Sequence, residues 1–144
     1  MPHTPISQHM TASPHTIGIN QTLSVAHLLM TKHHIRHLPV LDTGKLVGLV
    51  SLRDLHFIET LRDVDPTVVT VDEAMTAEPY TVEPTARLST VVATMAKHKY
   101  GSAIVVDADR VVGVFTTIDA LTVLASRLEP AKVARPTRSR ARSA

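Results

Sequence analysis

Cysteine is absent from this chain of 144 residues. Its absence excludes disulfides, thiolate metal sites and cysteine nucleophiles together, and it suits a reducing, cytoplasmic setting. Tryptophan is absent as well, and tyrosine and phenylalanine occur twice each. With aromatic residues at 3% and hydrophobic residues at 44%, the core has to be built from Val, Leu, Ile, Ala and Met. There are five glycines, none grouped into a loop of the phosphate-cradling type, and no Ser/His/Asp set on a strained nucleophile turn. The reading is therefore non-enzymatic. No apolar run approaches the roughly 20 residues of a helical membrane span. Met1 to Met10 has neither the charged start nor the apolar stretch of a signal peptide.

Acidic residues are missing from one end. Beyond Pro130 lie Lys132, Arg135, Arg138, Arg140 and Arg142 with no Asp or Glu among them. The formal charge of +2 and the pI near 9.2 thus describe a basic tail on a mildly acidic body, not a basic folded surface. Nucleic-acid binding is expected, if anywhere, only through that tail, and no aromatic residue interleaves its arginines. The tail is too poor in apolar residues to offset ordering and is expected to be disordered over residues 130–144.

The rest of the chain repeats itself. An offset of 65 positions superposes Met10-Thr11-Ala12 on Met75-Thr76-Ala77, Leu23-Ser24 on Leu88-Ser89, Lys32-His33 on Lys97-His98, and Asp54 on Asp119. Residues 10–55 give 15 identical pairs in 46 without a gap. Internal repetition dictates architecture. Two copies, each near the lower size limit for a self-sufficient core, are expected to share one core and to face each other across a cleft. The division is repeat 1 over 6–63, a connector over 64–74 and repeat 2 over 75–129.

Each repeat reads as strand, helix, hairpin and helix. Leu23, Ala26, His27 and Met30 follow helical spacing, as do Leu88, Val91, Val92 and Met95. Asn20, Thr22 or Ser24 can cap the first helix, and Thr85 or Ser89 its twin. Leu38–Leu41 and Leu46–Val50 flank the turn Asp42-Thr43-Gly44-Lys45, a hairpin pattern matched by Ala103–Val106 and Val111–Phe115. Pro39 cannot donate to a ladder and requires a free edge beside it. Second helices follow, over about Leu52–Leu61 and Thr117–Leu128, ahead of Pro66 and Pro130.

The chemistry concentrates where each hairpin ends. Gly48-Leu49-Val50-Ser51-Leu52-Arg53-Asp54 and Gly113-Val114-Phe115-Thr116-Thr117-Ile118-Asp119 both deliver a hydroxyl to a helix start, with Asp three residues on. One meaning is a capping box with Asp in place of Glu. The other is a rigid carboxylate that accepts hydrogen bonds from a vicinal diol.

These blocks, with Met10-Thr11, Pro14 and Thr16, Ile35 to Asp42, and their counterparts Met75-Thr76, Pro79, Thr81 and Gly101 to Asp107, resemble a tandem pair of cystathionine β-synthase (CBS) domains. The resemblance covers roughly residues 6–128. It implies an α/β fold of two βαββα repeats packed with pseudo-twofold symmetry. It also implies a regulatory module that binds AMP, ADP, ATP or S-adenosylmethionine between the repeats, needs no cofactor for catalysis, and passes its signal through a homodimer or an effector protein. By the same resemblance, Ser51 with Asp54 and Thr116 with Asp119 hold the ribose. Thr16, Ile17, Leu38 and Pro39, with Thr81, Val82, Ala103 and Ile104, surround the base. Phosphates call for cations. Repeat 1 offers Arg36, His37 and Arg53, whereas repeat 2 offers Lys99 but has Gly101-Ser102 and Ile118 at the twin positions, so the two sites should differ. The alternative is an interaction module that keeps the fold without the ligand.

His33, His34 and His37 invite a metal reading, but the helix should end near His33-His34, which breaks the regular spacing, and no metal is expected. His27, whose twin is Val92, is expected to be a half-buried structural histidine.

Overall fold

The computed structural model describes residues 3–128; the basic tail lies outside the described residues. Each repeat forms the expected unit. In the first, β2 (Ile17–Gly18), α1 (Leu23–His33), β3 (His37–Asp42), β4 (Lys45–Ser51) and α2 (Leu52–Glu59) follow in order. The second has β6 (Thr81–Val82), α3 (Leu88–His98), β7 (Ser102–Asp107), β8 (Arg110–Thr116) and α4 (Thr117–Arg127). Ahead of each unit stands a piece that the periodicity does not reveal. It is a 3-10 turn, Ile6–Gln8 or Val71–Glu73, followed by a two-residue strand, β1 (Thr11–Ala12) or β5 (Thr76–Ala77).

Those leading pieces are exchanged. Strand β1 pairs with β8 and strand β5 with β4, giving two four-stranded sheets in the orders β1-β8-β7-β6 and β2-β3-β4-β5. Two glycines and two methionines explain the exchange. A Cβ on Gly48 would lie 2.4 Å from Met75 Sδ, and one on Gly113 would lie 2.3 Å from Met10 Sδ. Each glycine therefore leaves the space into which the other repeat's methionine packs.

The exchange also settles helix starts. Thr22 caps α1, accepting from Val25 N at 3.4 Å. For α3 neither Thr85 nor Ser89 stands at the cap. Arg87 does, without a side-chain bond. The first amide of the helix is satisfied otherwise, because Leu88 N donates to Thr4 O at 2.8 Å. The twin bond, Leu23 N to Val69 O at 2.9 Å, joins the connector to α1. Both helices end on a left-handed residue, His34 or Lys99, which closes the last turn as glycine more often does. Pro39 has its free edge, since β2 reaches β3 only at Val40 and Leu41.

The expectation of one shared core is corrected. Buried side chains form two clusters, one around Leu23, Met30, Leu38, Val50 and Leu55, the other around Val91, Met95, Ala103 and Phe115. Period-2 alternation along each strand sends one set of side chains toward the helices of its own layer, so each sheet–helix layer gathers its own cluster. Neither cluster is closed by its own repeat. Val71, ahead of repeat 2, is fully buried in the first, and Ile6, ahead of repeat 1, is fully buried in the second.

Candidate functional site

Strand β4 runs into α2 with no intervening loop, so Ser51 is both the last strand residue and the helix cap. Its hydroxyl accepts from Asp54 N at 3.1 Å, and Asp54 Oδ2 accepts from Ser51 N at 2.9 Å. The twin box has Thr116 N to Asp119 Oδ2 at 2.9 Å and Asp119 N to Thr116 Oγ1 at 3.3 Å. The capping meaning of both blocks is thus realised. It does not exhaust Asp54, because Oδ1 has no hydrogen-bond partner among the described residues, and this side chain lines a cavity of about 770 Å³.

The exchanged strand builds the opposite wall. Pairing of Leu49 with Thr76 lays β5 along β4, and this carries Glu78, Pro79 and Tyr80 over the start of α2, where they line the cavity with Thr76. Lys99 to Ser102, the passage from α3 to β7, closes another side. Arg36 and His37, entering β3, complete it. Leu52 N donates to Arg36 O at 2.9 Å, as Thr117 N donates to Gly101 O at 3.1 Å. These two passages meet at the pseudo-twofold: a Cβ on Gly101 would lie 3.4 Å from His37 Nε2. The imidazole thus packs directly against Gly101.

Seven of the sequence-derived candidates therefore gather around one cavity: Arg36, His37, Ser51, Arg53, Asp54, Lys99 and Ser102. The others lie elsewhere. Leu38, Pro39, Ala103 and Ile104 are buried strand residues, and Thr16, Ile17, Thr81 and Val82 precede or form the short parallel strands β2 and β6. Thr116 and Asp119 belong to the twin helix start and do not line this cavity.

Sequence reasoning missed Leu49, Leu52, His56, Thr76, Glu78, Pro79, Tyr80, Tyr100 and Gly101. A signal for two of them was available. The chain has only two tyrosines, and both line the cavity. They occupy positions where repeat 1 has His15 and Ile35. Their rings stack with centroids 5.2 Å apart, and His98 stacks on the outer face of Tyr100, also at 5.2 Å. This aromatic stack and the carboxylate of Asp54 line the same cavity.

Charge is unevenly matched there. Arg36, Arg53 and Lys99 are cationic and Asp54 and Glu78 anionic. Burial holds the pKa of His37 below its ordinary value, Asp54 works against that shift, and Arg36 adds to it. His15, His27, His33 and His34 are structural in arrangement. His33 stacks on His15 at 3.6 Å, and His34 holds the left-handed helix end. His27 is half-exposed, with Nδ1 3.1 Å from Glu59 Oε2, bracing α1 against α2. Among the described residues there is no group of three or more His, Cys, Asp or Glu suited to a metal ion.

The CBS domain model matches residues 6–57 and 65–126. The CBS domain-containing protein YhcV of Bacillus subtilis is 29% identical over 109 residues, 76% of this chain and 77% of that protein. The uncharacterized protein MJ1232 of Methanocaldococcus jannaschii is 29% identical over 113 residues, 78% of this chain but 36% of that longer protein. Among solved structures, the CBS domain pair of protein MJ0100, in complex with 5′-methylthioadenosine and S-adenosyl-L-methionine, superposes with a TM-score of 0.78 at 26% identity. The match covers 88% of this chain and 100% of that one.

Proposed function

The chain belongs to the CBS domain family, and from that premise we propose that it is a non-enzymatic regulatory module. It binds an adenosine-containing ligand, AMP, ADP, ATP or S-adenosylmethionine, in the cavity between its repeats. The observation that carries this reading is the placement of Asp54, which has an unpartnered carboxylate oxygen and shares a cavity of about 770 Å³ with two stacked tyrosines. A carboxylate fixed in the first turn of a helix is a ready acceptor for a ribose diol. The stacked tyrosines offer the flat apolar surface that a purine needs. The adenosine ligands of the MJ0100 pair support the same class of ligand here.

Ligand changes the output only by binding one arrangement of the two halves better than another. Both halves contribute to the cavity, α2 from one and β5 to β7 from the other, so a ligand bridging them favours one relative placement. The signal then passes to a second copy or an effector. Helix α4 has no buried residue, and Ile118, Leu121, Leu124 and Leu128 are exposed along it, as Phe57 and Leu61 are on and just beyond α2. Such stripes suit an isologous dimer through the second helices.

The test is isothermal titration with AMP, ADP, ATP and S-adenosylmethionine, alongside native mass spectrometry of freshly purified protein. Saturable heat with at least one, or a co-purified mass of that class, is expected. Silence with all four, and no carried ligand, refutes the sensor reading and leaves the interaction module.

A further inference from the structure

We propose that Arg36, Arg53 and Lys99 make this cavity selective for a phosphate ester of adenosine and against the cationic sulfonium form of the same nucleoside. The inference rests on the adenosine reading above and names which member of that class the site takes.

The three cations come from three separate elements: the passage into β3, the first turn of α2, and the left-handed end of α3. Among the described residues none of them is held in an ion pair. The fold does not demand them either. The duplication supplies an internal comparison, because the twin of Arg36 is Gly101 and the twin of Arg53 is Ile118. The same backbone, with the same capping box, forms in the second half without either charge. Their convergence on one cavity is therefore a property of the site and not of the scaffold.

The opposing carboxylates offset the cations only in part, and one of them is already committed to the scaffold. Asp54 gives one oxygen to Ser51 N at 2.9 Å, and its other oxygen is the diol acceptor. With Asp54 and Glu78 both anionic, the three cations leave the cavity one positive charge in excess. A phosphate dianion on the ribose 5′ carbon meets this field favourably, whereas a sulfonium at the same carbon meets like charge. A charge-assisted phosphate contact is worth about tenfold or more in affinity.

Titration of the full chain with adenosine, AMP and S-adenosylmethionine reads this directly. AMP should bind at least about tenfold tighter than adenosine, and the sulfonium more weakly than adenosine. Raising salt from about 0.05 M to about 0.3 M should shrink the AMP advantage. Arg53→Ile, which installs the residue its own twin carries in an intact helix start, should cut the AMP-to-adenosine affinity ratio by about tenfold. Adenosine binding with AMP no tighter, or S-adenosylmethionine binding as tightly as AMP, overturns the selectivity and leaves the adenosine reading standing. No binding of any of the three overturns the selectivity, and silence with ADP and ATP as well sinks both.

Discussion

Asp54→Ala separates the two roles that one carboxylate performs. As the third residue of α2, Asp54 accepts from Ser51 N and is itself bonded to the Ser51 hydroxyl. Removing the side chain deletes half of a capping box and the favourable charge at a helix start. That should cost about 1 kcal/mol of stability, or a fall of roughly 3–4 °C in Tm for a domain of this size. Asp119→Ala is the matched control, since its box has the same Thr116 N to Asp119 Oδ2 distance of 2.9 Å. It should cost about as much stability. Binding divides the pair. One oxygen of Asp54 remains for the ribose, and hydrogen bonds from a diol to a charged acceptor should be worth about 2–3 kcal/mol together, or roughly 30- to 150-fold in Kd. Thermal melts and calorimetric titration with AMP give both numbers for both variants, and the affinity of Asp119→Ala measures how far the second helix start takes part. If Asp54→Ala loses the expected stability while its AMP affinity stays within about twofold of the parent, the carboxylate is a cap and nothing more.

Two further outcomes follow from the packing and from one buried ring. Gly48→Ala drives a methyl to within 2.4 Å of Met75 Sδ and 3.0 Å of Thr76 O. It should cost about 1–3 kcal/mol in a denaturant titration; adding Met75→Ala should restore part of that if the side-chain clash dominates, and no restoration would place the strain in the backbone. Burial holds the pKa of His37 below the ordinary histidine value of about 6.5, so the unfolded chain takes up its proton first as pH falls. Its contribution is present in full above about pH 6.5 and is lost on acidification below it. Melts at about pH 7.5 and about pH 5.5 should show a smaller acid-induced drop for His37→Asn than for the parent, and an unchanged drop would assign the acid sensitivity to other groups.

What was legible in the sequence was whatever one repeat does within itself. Helical spacing at Leu23, Ala26 and Met30, the polar turn between two β-branched runs, and the hydroxyl–Asp block at each hairpin end are local patterns, and they set α1, the hairpins and both capping boxes where expected. What escaped was the exchange between repeats. Strands β1 and β5 are two residues each, too short for alternation to register, and their partners lie in the other half. Ile6 and Val71 look like isolated apolar residues in a leader and a connector, yet both are fully buried. The same omission blurred the site. The candidates on α2 and before β3 were read correctly as neighbours. The resemblance puts Thr81 and Val82 around the base, and the neighbouring residues that line this cavity are Thr76 and Glu78 to Tyr80.

The exchange is also why a cavity made by two like halves need not be symmetric. The start of α2 shares its cavity with the turn that follows the other repeat's short strand, and several of the residues there differ in kind from their counterparts 65 positions away. Around Asp54 the unequal choices are Arg53, Tyr80, Lys99 and Tyr100. At the positions related by the repeat they are Ile118, His15, His34 and Ile35. Duplication fixed two equivalent carboxylates by the geometry of helix capping, which the fold requires in both places. Divergence of the side chains around them is free of that requirement. Asp54 is therefore the helix-start carboxylate whose cavity also holds cations and both tyrosines, and the paired variants Asp54→Ala and Asp119→Ala test whether that difference matters for binding.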